Sequence, residues 1–303
     1  MEIIRSCQNI KITEPSAVAL GFFDGVHLGH IEVIKAAKDF GLKTIVLSFE
    51  QHPGEVLKSK NVLRLMTNEQ KEQACEELGV DILVYLDFAK IKQLTPEQFV
   101  TKILKDKLNA KAVFCGFNYK FGKSAIAGKK ELEDFGKQYD FKVKSLNQVS
   151  VNGAIVSSTL IRTLIECGEI EKANALLSRP FSIKFEVIHG RELGRTLGTP
   201  TINQYMPVWF IKPRFGVYAT MVNIDGKKLP AVTNVGKNPT IVSSNSETIL
   251  AETHIPNFNQ DLYGKVISVE FMHFIRDEMK FDSIEELKVQ IYKDVEKALE
   301  FRV

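Results

Sequence analysis

Along the first 180 residues, short apolar runs alternate with stretches whose apolar positions recur at helical spacing. Ser16 to Phe23 is almost wholly apolar and predicts a buried strand. A helical pattern follows from about His30 to Phe40, where Gly41 offers a C-cap. Lys43 to Phe49, rich in Ile, Val and Leu, predicts a second strand. Thr67 with Gln70 three residues on predicts a capped helix that stops at Gly79. Further strands are expected at Asp81 to Leu86 and Ala112 to Cys115. Between them Thr95, Pro96 and Gln98 open a helix that runs to about Leu108, and Lys129 to Tyr139 predicts another. Strands and helices in this alternation predict βα units and a parallel sheet. A helical pair, Ser158 to Cys167 and Glu169 to Leu177, closes this part.

The pattern changes after Arg179-Pro180. Ile183 to Ile188, Gly216 to Ile224, Lys228 to Val235, Thr248 to His254 and Val266 to His273 follow one another without long helices between them. In the last run Ile267, Val269 and Phe271 alternate with Ser268 and Glu270, a period of two. Asp225-Gly226, Asn238-Pro239 and Asn257 to Asn259 supply turns. An antiparallel sheet or small barrel is expected, followed by one helix from Ser283, in a capping box with Glu286, to about Glu300. The fold class is therefore α/β plus β, with one domain over residues 1–180 and a second over 181–303.

A chain of 303 residues suits two domains with separate cores. No apolar run is long enough for a membrane helix, and MEIIRSCQNI does not read as a signal peptide, so a cytoplasmic protein without membrane partners is expected. Cys7, Cys75, Cys115 and Cys167 are far apart and form no CxxC pair, which signals neither zinc nor a redox dithiol. A net charge of +3 tolerates small anions but does not predict nucleic-acid binding.

The segment Gly21-Phe22-Phe23-Asp24-Gly25-Val26-His27-Leu28-Gly29-His30 sits where the first strand gives way to a helix. Ligands of open parallel sheets bind beyond strand C-termini. Glycines permit close backbone approach, and the start of a helix favours anions. His27 and His30, three apart, can share one side of the turn and stabilise charge growing on a phosphate. A glycine-rich turn with two surface histidines fits the same residues. Gly116 to Ser124 ends in Gly-Lys-Ser, but five residues rather than four separate its outer glycines, and Phe117, Tyr119 and Phe121 would crowd a phosphate cradle, so a P-loop is rejected.

GFFDGVHLGH resembles the adenylyltransferase motif of the bifunctional riboflavin kinase/FAD synthetases. Ser157-Ser158-Thr159-Leu160-Ile161-Arg162 resembles that family's ISSTxIR segment. Ser48 to Pro53 resembles its phenylalanine, acidic residue and Pro-His-Pro run, with Gln51 in place of the first proline and with His52 and Pro53 kept. Gly116 to Gly122 resembles its flavin-side loop, with Asn118 where aspartate is frequent. The resemblance implies a Rossmann-like nucleotidylyltransferase domain. In it Gly21, Phe22, Phe23, Asp24, Gly25, Gly29, Ser157, Ser158, Thr159 and Arg162 bind ATP, and His52, Pro53 and Asn118 face the flavin. His27 and His30 act at the α-phosphate.

In the second part, Gly190 to Asn203 carries glycines at spacing four, and Thr199-Pro200 favours a loop. Such a loop brings amides to phosphates, and Thr201 with Asn203 offers neutral oxygens to magnesium; a flexible barrel loop fits equally. Together with PRFGVYA, NVGKNPT, ETHIPNF, DLYGK and IRDEMKF, in this order, the segment resembles riboflavin kinases. The resemblance implies a β-barrel kinase domain with a terminal helix and Glu252 as catalytic base. ATP would be held by Gly194, Arg195, Gly198, Pro200, Thr201 and Asn203, Mg²⁺ by Thr201 and Asn203, and flavin by Arg276, Glu278 and Phe281. Thr199 stands where the family usually has an aromatic residue. The implied activity is phosphorylation of riboflavin to FMN and adenylylation of FMN to FAD, with ATP as co-substrate, by a monomer or weak homo-oligomer. A chain active only in the second step, or a non-catalytic flavin-binding protein, shares these motifs and differs in turnover.

Overall fold

A computed structural model of the chain describes residues 1–5, 10–57, 62–190, 199–237 and 249–301. The chain divides into two compact units, Met1–Val62 with Thr67–Ser157, and Leu63–Met66 with Ser158–Val303.

In the first unit, β1 (Glu2–Ile4), β2 (Ser16–Leu20), β3 (Lys43–Phe49), β4 (Ile82–Leu86), β5 (Ala110–Gly116) and β6 (Lys142–Leu146) form one parallel sheet in the order β1-β4-β3-β2-β5-β6. β2 and β4 are buried at every residue, as the near-continuous apolar runs require of strands covered on both faces. The edge strand β6, KVKSL, is polar and was not legible as a strand; charged edges deter pairing with other chains. Helices α1 (Leu28–Lys38), α2 (Pro53–Val56), α3 (Asn68–Glu77), α4 (Phe88–Ile91), α5 (Pro96–Phe99) and α6 (Lys129–Tyr139) flank the sheet, and β7 (Ser150–Val151) pairs with β8 (Ala154–Ile155) in a small hairpin. α1 buries Val33, Ile34 and Ala37, with Val33 and Ile34 contributing about 1.5–3 kcal/mol each.

Local signals and structure differ in three places here. β2 ends at Leu20 rather than Phe23, because Phe23 (φ 56°) and Gly25 (φ 84°) take left-handed conformations that a strand cannot. α1 begins at Leu28, since His27 is its N-cap. The Thr95 capping box is present, but after Phe99 the chain continues as a π-helical stretch, Val100–Lys105.

In the second unit, α7 (Ser158–Glu166) and α8 (Ile170–Leu177) precede β9 (Phe181–Glu186), β10 (Thr201–Met206), β11 (Gly216–Ile224), β12 (Lys227–Lys237), β13 (Ile249–His254) and β14 (Val266–Arg276), and α9 (Ile284–Glu300) ends the fold. The strands form an antiparallel sheet in the order β10-β13-β12-β11-β14-β9. The two edges approach each other, nearly closing a barrel: Ile188 bridges Asn203, and the fully buried Gln204 donates from Nε2 to the carbonyls of Phe185 (2.7 Å) and Ile267 (2.8 Å). The buried hydroxyls of Thr220, Thr233 and Thr253 link in a chain at 2.9 and 2.8 Å.

The sequence pattern left Thr201 and Asn203 in a loop, whereas they lie on β10, paired with His254 and Glu252. Ladder pairing there prevails over the breaking tendency of Thr199-Pro200. The Ser283 side chain accepts from the Glu286 N–H (3.2 Å), but the Glu286 carboxylate accepts from the Asp282 N–H (3.2 Å) and not that of Ser283, so only half of the expected box is present.

Candidate active sites

In the first unit the chain steps from β2 to β3 to β4 in one direction, then returns to place β5 on the other side of β2. That reversal makes the C-terminal ends of β2 and β5, where Leu20 pairs with Cys115, the topological switch point at which such sheets bind ligands. Residues 21–27 leave β2 at this point, and the Gly116–Gly122 loop leaves β5 beside it.

The His27 ring is buried and caps α1, its Nδ1 accepting from the His30 N–H at 3.3 Å. In the neutral imidazole this fixes the proton on Nε2, which becomes the ring's donor. His30 stacks on His27 with centroids 3.6 Å apart and an interplanar angle of 13°, and it meets Phe23 edge-on at 5.2 Å. The two imidazoles therefore form one paired unit at the start of a helix. Asp24 is also buried in this loop.

Phe22 packs edge-on against His52 (4.6 Å), which caps α2 by accepting the Gly54 N–H at Nδ1 (3.0 Å). His52, expected on the flavin side, is thus brought into contact with the Gly21–His30 loop through Phe22, and Pro53 follows it as the first residue of α2. The buried Lys71 of α3 was not singled out in the sequence: its ammonium lies 4.2 Å from the Phe22 ring and donates to Ser48 Oγ and the Phe49 carbonyl, each at 3.3 Å. A lysine on a mainly polar helix carries no sequence signal of burial.

On the β5 side, Asn118 and Phe117 are exposed, and Phe121 turns back to bridge Ala127. Gly122-Lys123-Ser124 forms a short turn against Pro96 rather than a phosphate loop, in keeping with the rejection of a P-loop. Burial pushes the Cys115 thiol up to about 11, so this cysteine stays protonated and packs rather than acting as a nucleophile. Ser157 closes the first unit. Ser158, Thr159 and Arg162 lie on α7 of the second, where Arg162 Nε donates to the Leu63 carbonyl at 2.6 Å.

In the second unit one register row runs across three strands: Asn203 on β10 pairs with Glu252 on β13, and Glu252 with Asn234 on β12. Directly opposed side chains share a face, with Cβ atoms roughly 5 Å apart. This row is one residue out of step with the buried Gln204 and Thr253, so it lies on the outer face of the barrel. The next residue of the row, Val217, packs with Ala219 and Val232 against Ala298 of α9. The polar row therefore emerges beside the terminal helix.

Thr201 and His254 form the neighbouring pair, with His254 Nδ1 2.9 Å from the Pro200 carbonyl. Glu278 joins the same face. A Cβ built on Gly236 would fall 2.3 Å from its Oε1 and 3.7 Å from Asn234 Nδ2, so the carboxylate lies over Gly236. Arg276 is instead committed to the buried Asp294 of α9 through two of its nitrogens (Nε at 3.0 Å, and a terminal nitrogen at 2.7 Å), with Phe281 6.0 Å from its guanidinium. Gly194, Arg195 and Gly198 lie outside the described residues.

Two side-chain oxygens here, Thr199 Oγ1 and Asn203 Oδ1, are buried without a hydrogen-bond partner among the described residues. Neutral oxygens of this kind fit a hard divalent cation with its phosphates. In the sequence Thr199 is only a departure from the family's usual aromatic residue; its buried hydroxyl is visible only in the fold. Among the described residues no group of three or more His, Cys, Asp or Glu is placed to hold a metal, and no helix is long and apolar enough to cross a membrane.

Comparison with known proteins agrees in both units. A family model described as FAD synthetase matches residues 9–160, and one described as riboflavin kinase matches residues 177–302. The chain is 37% identical to the bifunctional riboflavin kinase/FMN adenylyltransferase of Bacillus subtilis, over 94% of this chain and 92% of that protein. It is 33% identical to the Escherichia coli K12 protein of the same name, over 99% and 98%. A crystal structure described as a macrolide-efflux protein from Streptococcus pneumoniae is 31% identical and superposes with a TM-score of 0.90 over 100% of both chains.

Proposed function

The chain belongs to the family of bifunctional riboflavin kinases/FMN adenylyltransferases, and from that premise we propose how its residues divide the work. The protein is a transferase that uses ATP twice, phosphorylating riboflavin to FMN and adenylylating FMN to FAD with release of pyrophosphate. Adenylylation belongs to residues 1–180 and phosphorylation to residues 181–303. The observation that carries the reading is the presence in one chain of two unlike constellations, the stacked His27–His30 pair at the switch point and the Asn203–Glu252–Asn234 row on the barrel.

In adenylyl transfer a phosphate oxygen of FMN attacks the α-phosphorus of ATP, and the bond to pyrophosphate breaks. His27 offers its Nε2–H, and His30, held parallel to it, adds a second imidazole toward the charge that grows on the α-phosphate. Phe22 and His52 form one wall of the same site. For the distal phosphates of ATP, the hydroxyls of Ser157, Ser158 and Thr159 and the guanidinium of Arg162 are the groups that the family's ISSTxIR segment implies.

In the kinase reaction the riboflavin 5′-hydroxyl attacks the γ-phosphorus of ATP, and the bond to ADP breaks. Glu252 accepts the hydroxyl proton, and Asn203 and Asn234 orient the groups on either side of it. Mg²⁺, held by Thr201 and Asn203 with Thr199 adjacent, would neutralise phosphate charge. Glu278 contacts flavin from above Gly236, while Arg276 and Phe281 shape that side by fixing the terminal helix. The enzyme works in the cytoplasm as a monomer or weak homo-oligomer.

Purified protein given riboflavin, ATP and Mg²⁺ is expected to produce FMN first and FAD later, separated by chromatography. FAD formed from supplied FMN but never from riboflavin would remove the kinase half of the reading, and flavin binding with no product would remove both.

A further inference from the structure

Lys71 is only 2% exposed, on a helix that is otherwise largely polar, and its charge is buried beneath the Gly21–His30 loop. An ammonium has only donors. Ser48 Oγ must therefore accept from Lys71 Nζ (3.3 Å), which leaves the hydroxyl hydrogen for the Phe22 carbonyl at 2.8 Å. The same ammonium holds the end of β3 through the Phe49 carbonyl (3.3 Å) and faces the Phe22 ring at 4.2 Å. One buried cation thus fixes both the ring and the carbonyl of Phe22.

The peptide joining Phe22 to Phe23 is trans, as every peptide of the chain is. In a trans peptide the N–H points opposite to the C=O. With the Phe22 carbonyl tied to Ser48, the Phe23 N–H is turned away from β3. That N–H has no acceptor among the described residues, although Phe23 is buried and held at φ 56°. A buried amide without a partner at the mouth of a switch point suits an anionic oxygen.

We infer that Lys71 is a positioning residue for adenylyl transfer: acting through Ser48, it sets the Phe22–Phe23 peptide so that the Phe23 amide is presented to a phosphate oxygen of the nucleotide. The inference rests on the adenylyltransferase reading of this site. Such an amide contact exists in the ground state as well as the transition state, so its loss raises KM and leaves kcat nearly unchanged.

The test uses the full chain: an unchanged kcat for FAD synthesis reports that the first unit, which holds Lys71 and Ser48, is folded, and riboflavin kinase activity controls for the second. Lys71→Met keeps the side-chain length and removes the charge. Expected is a rise of about tenfold in KM for ATP in FAD synthesis, with kcat, KM for FMN and FMN production from riboflavin all within about twofold of the parent. Ser48→Ala is expected to raise KM for ATP to a similar degree, and the double variant to be no worse than the worse single one, because both act on one peptide. Should Lys71→Met fail to fold, Ser48→Ala carries the test alone. An unchanged KM for ATP in the folded variants, fully additive effects, or an equal loss of both activities would overturn the role of Lys71. A parent protein that made FMN but no FAD would instead overturn the adenylyltransferase reading, and this inference with it.

Discussion

Single residues in this protein are constrained by what their backbone must do as much as by their chemistry. Gly216 opens β11 at φ 144°, and a Cβ there would fall 2.3 Å from the Arg276 carbonyl of the neighbouring strand. Gly216→Ala combines a disfavoured conformation with a backbone clash and is expected to destabilise the second unit by about 2–4 kcal/mol. Gly226→Ala, at φ 79° with nothing within 4 Å, is expected to cost only about 1 kcal/mol. The chain's single tryptophan, Trp209, lies in the second unit, so denaturation followed by its fluorescence reads this difference directly. At this scale the sequence displayed His27 and His30 by their spacing, and Glu252 through family likeness. It did not display Lys71, nor that the Thr199 hydroxyl is buried, nor that Asn234 stands beside Glu252. Their significance comes from burial and strand register, which residue type alone does not encode.

Elements were most legible where a local signal coincided with a tertiary demand. The Thr67–Gln70 and Thr95–Gln98 capping boxes start helices as expected, and α6 spans Lys129–Tyr139 as its pattern predicts. β6 and β10 were missed because one is a polar edge and the other follows a proline; pairing with β5 and β13 makes them strands. The terminal helix was placed correctly from Ser283 onward, but its anchor was not. Asp294, 3% exposed, holds Arg276 of β14 and accepts from Gln290 at 2.9 Å. Because Asp294→Ala leaves a largely buried guanidinium without its carboxylate, it is expected to destabilise the second unit by about 3 kcal/mol. Asp294→Asn, which keeps an acceptor oxygen, should lose less. Trp209 fluorescence against urea measures both, and equal midpoints for parent and Asp294→Ala would show that Arg276 finds another partner.

At the scale of the whole molecule, the two constellations occupy units with separate sheets, one parallel and one antiparallel, and each exploits what its sheet offers. A parallel sheet with a strand-order reversal gathers loops and a helix start at one end, which suits backbone amides and capped imidazoles around a phosphate. An antiparallel barrel instead aligns side chains across neighbouring strands, which suits a carboxylate flanked by two amides. Neither arrangement contributes a residue to the other's register row or loop, so the chemistry should be separable by single substitutions. His30→Ala removes one of two stacked imidazoles and is expected to lower FAD formation from FMN by at least about a hundredfold, with FMN formation from riboflavin unchanged. Glu252→Ala removes the carboxylate that we propose as the base and is expected to lower FMN formation by about a hundredfold or more, while FAD still forms when FMN is supplied. Each variant thus controls for the folding of the other's unit. A folded His30→Ala protein that lost FMN formation as well would mean that the imidazole pair serves both reactions, and the division of labour between the sheets would have to be abandoned.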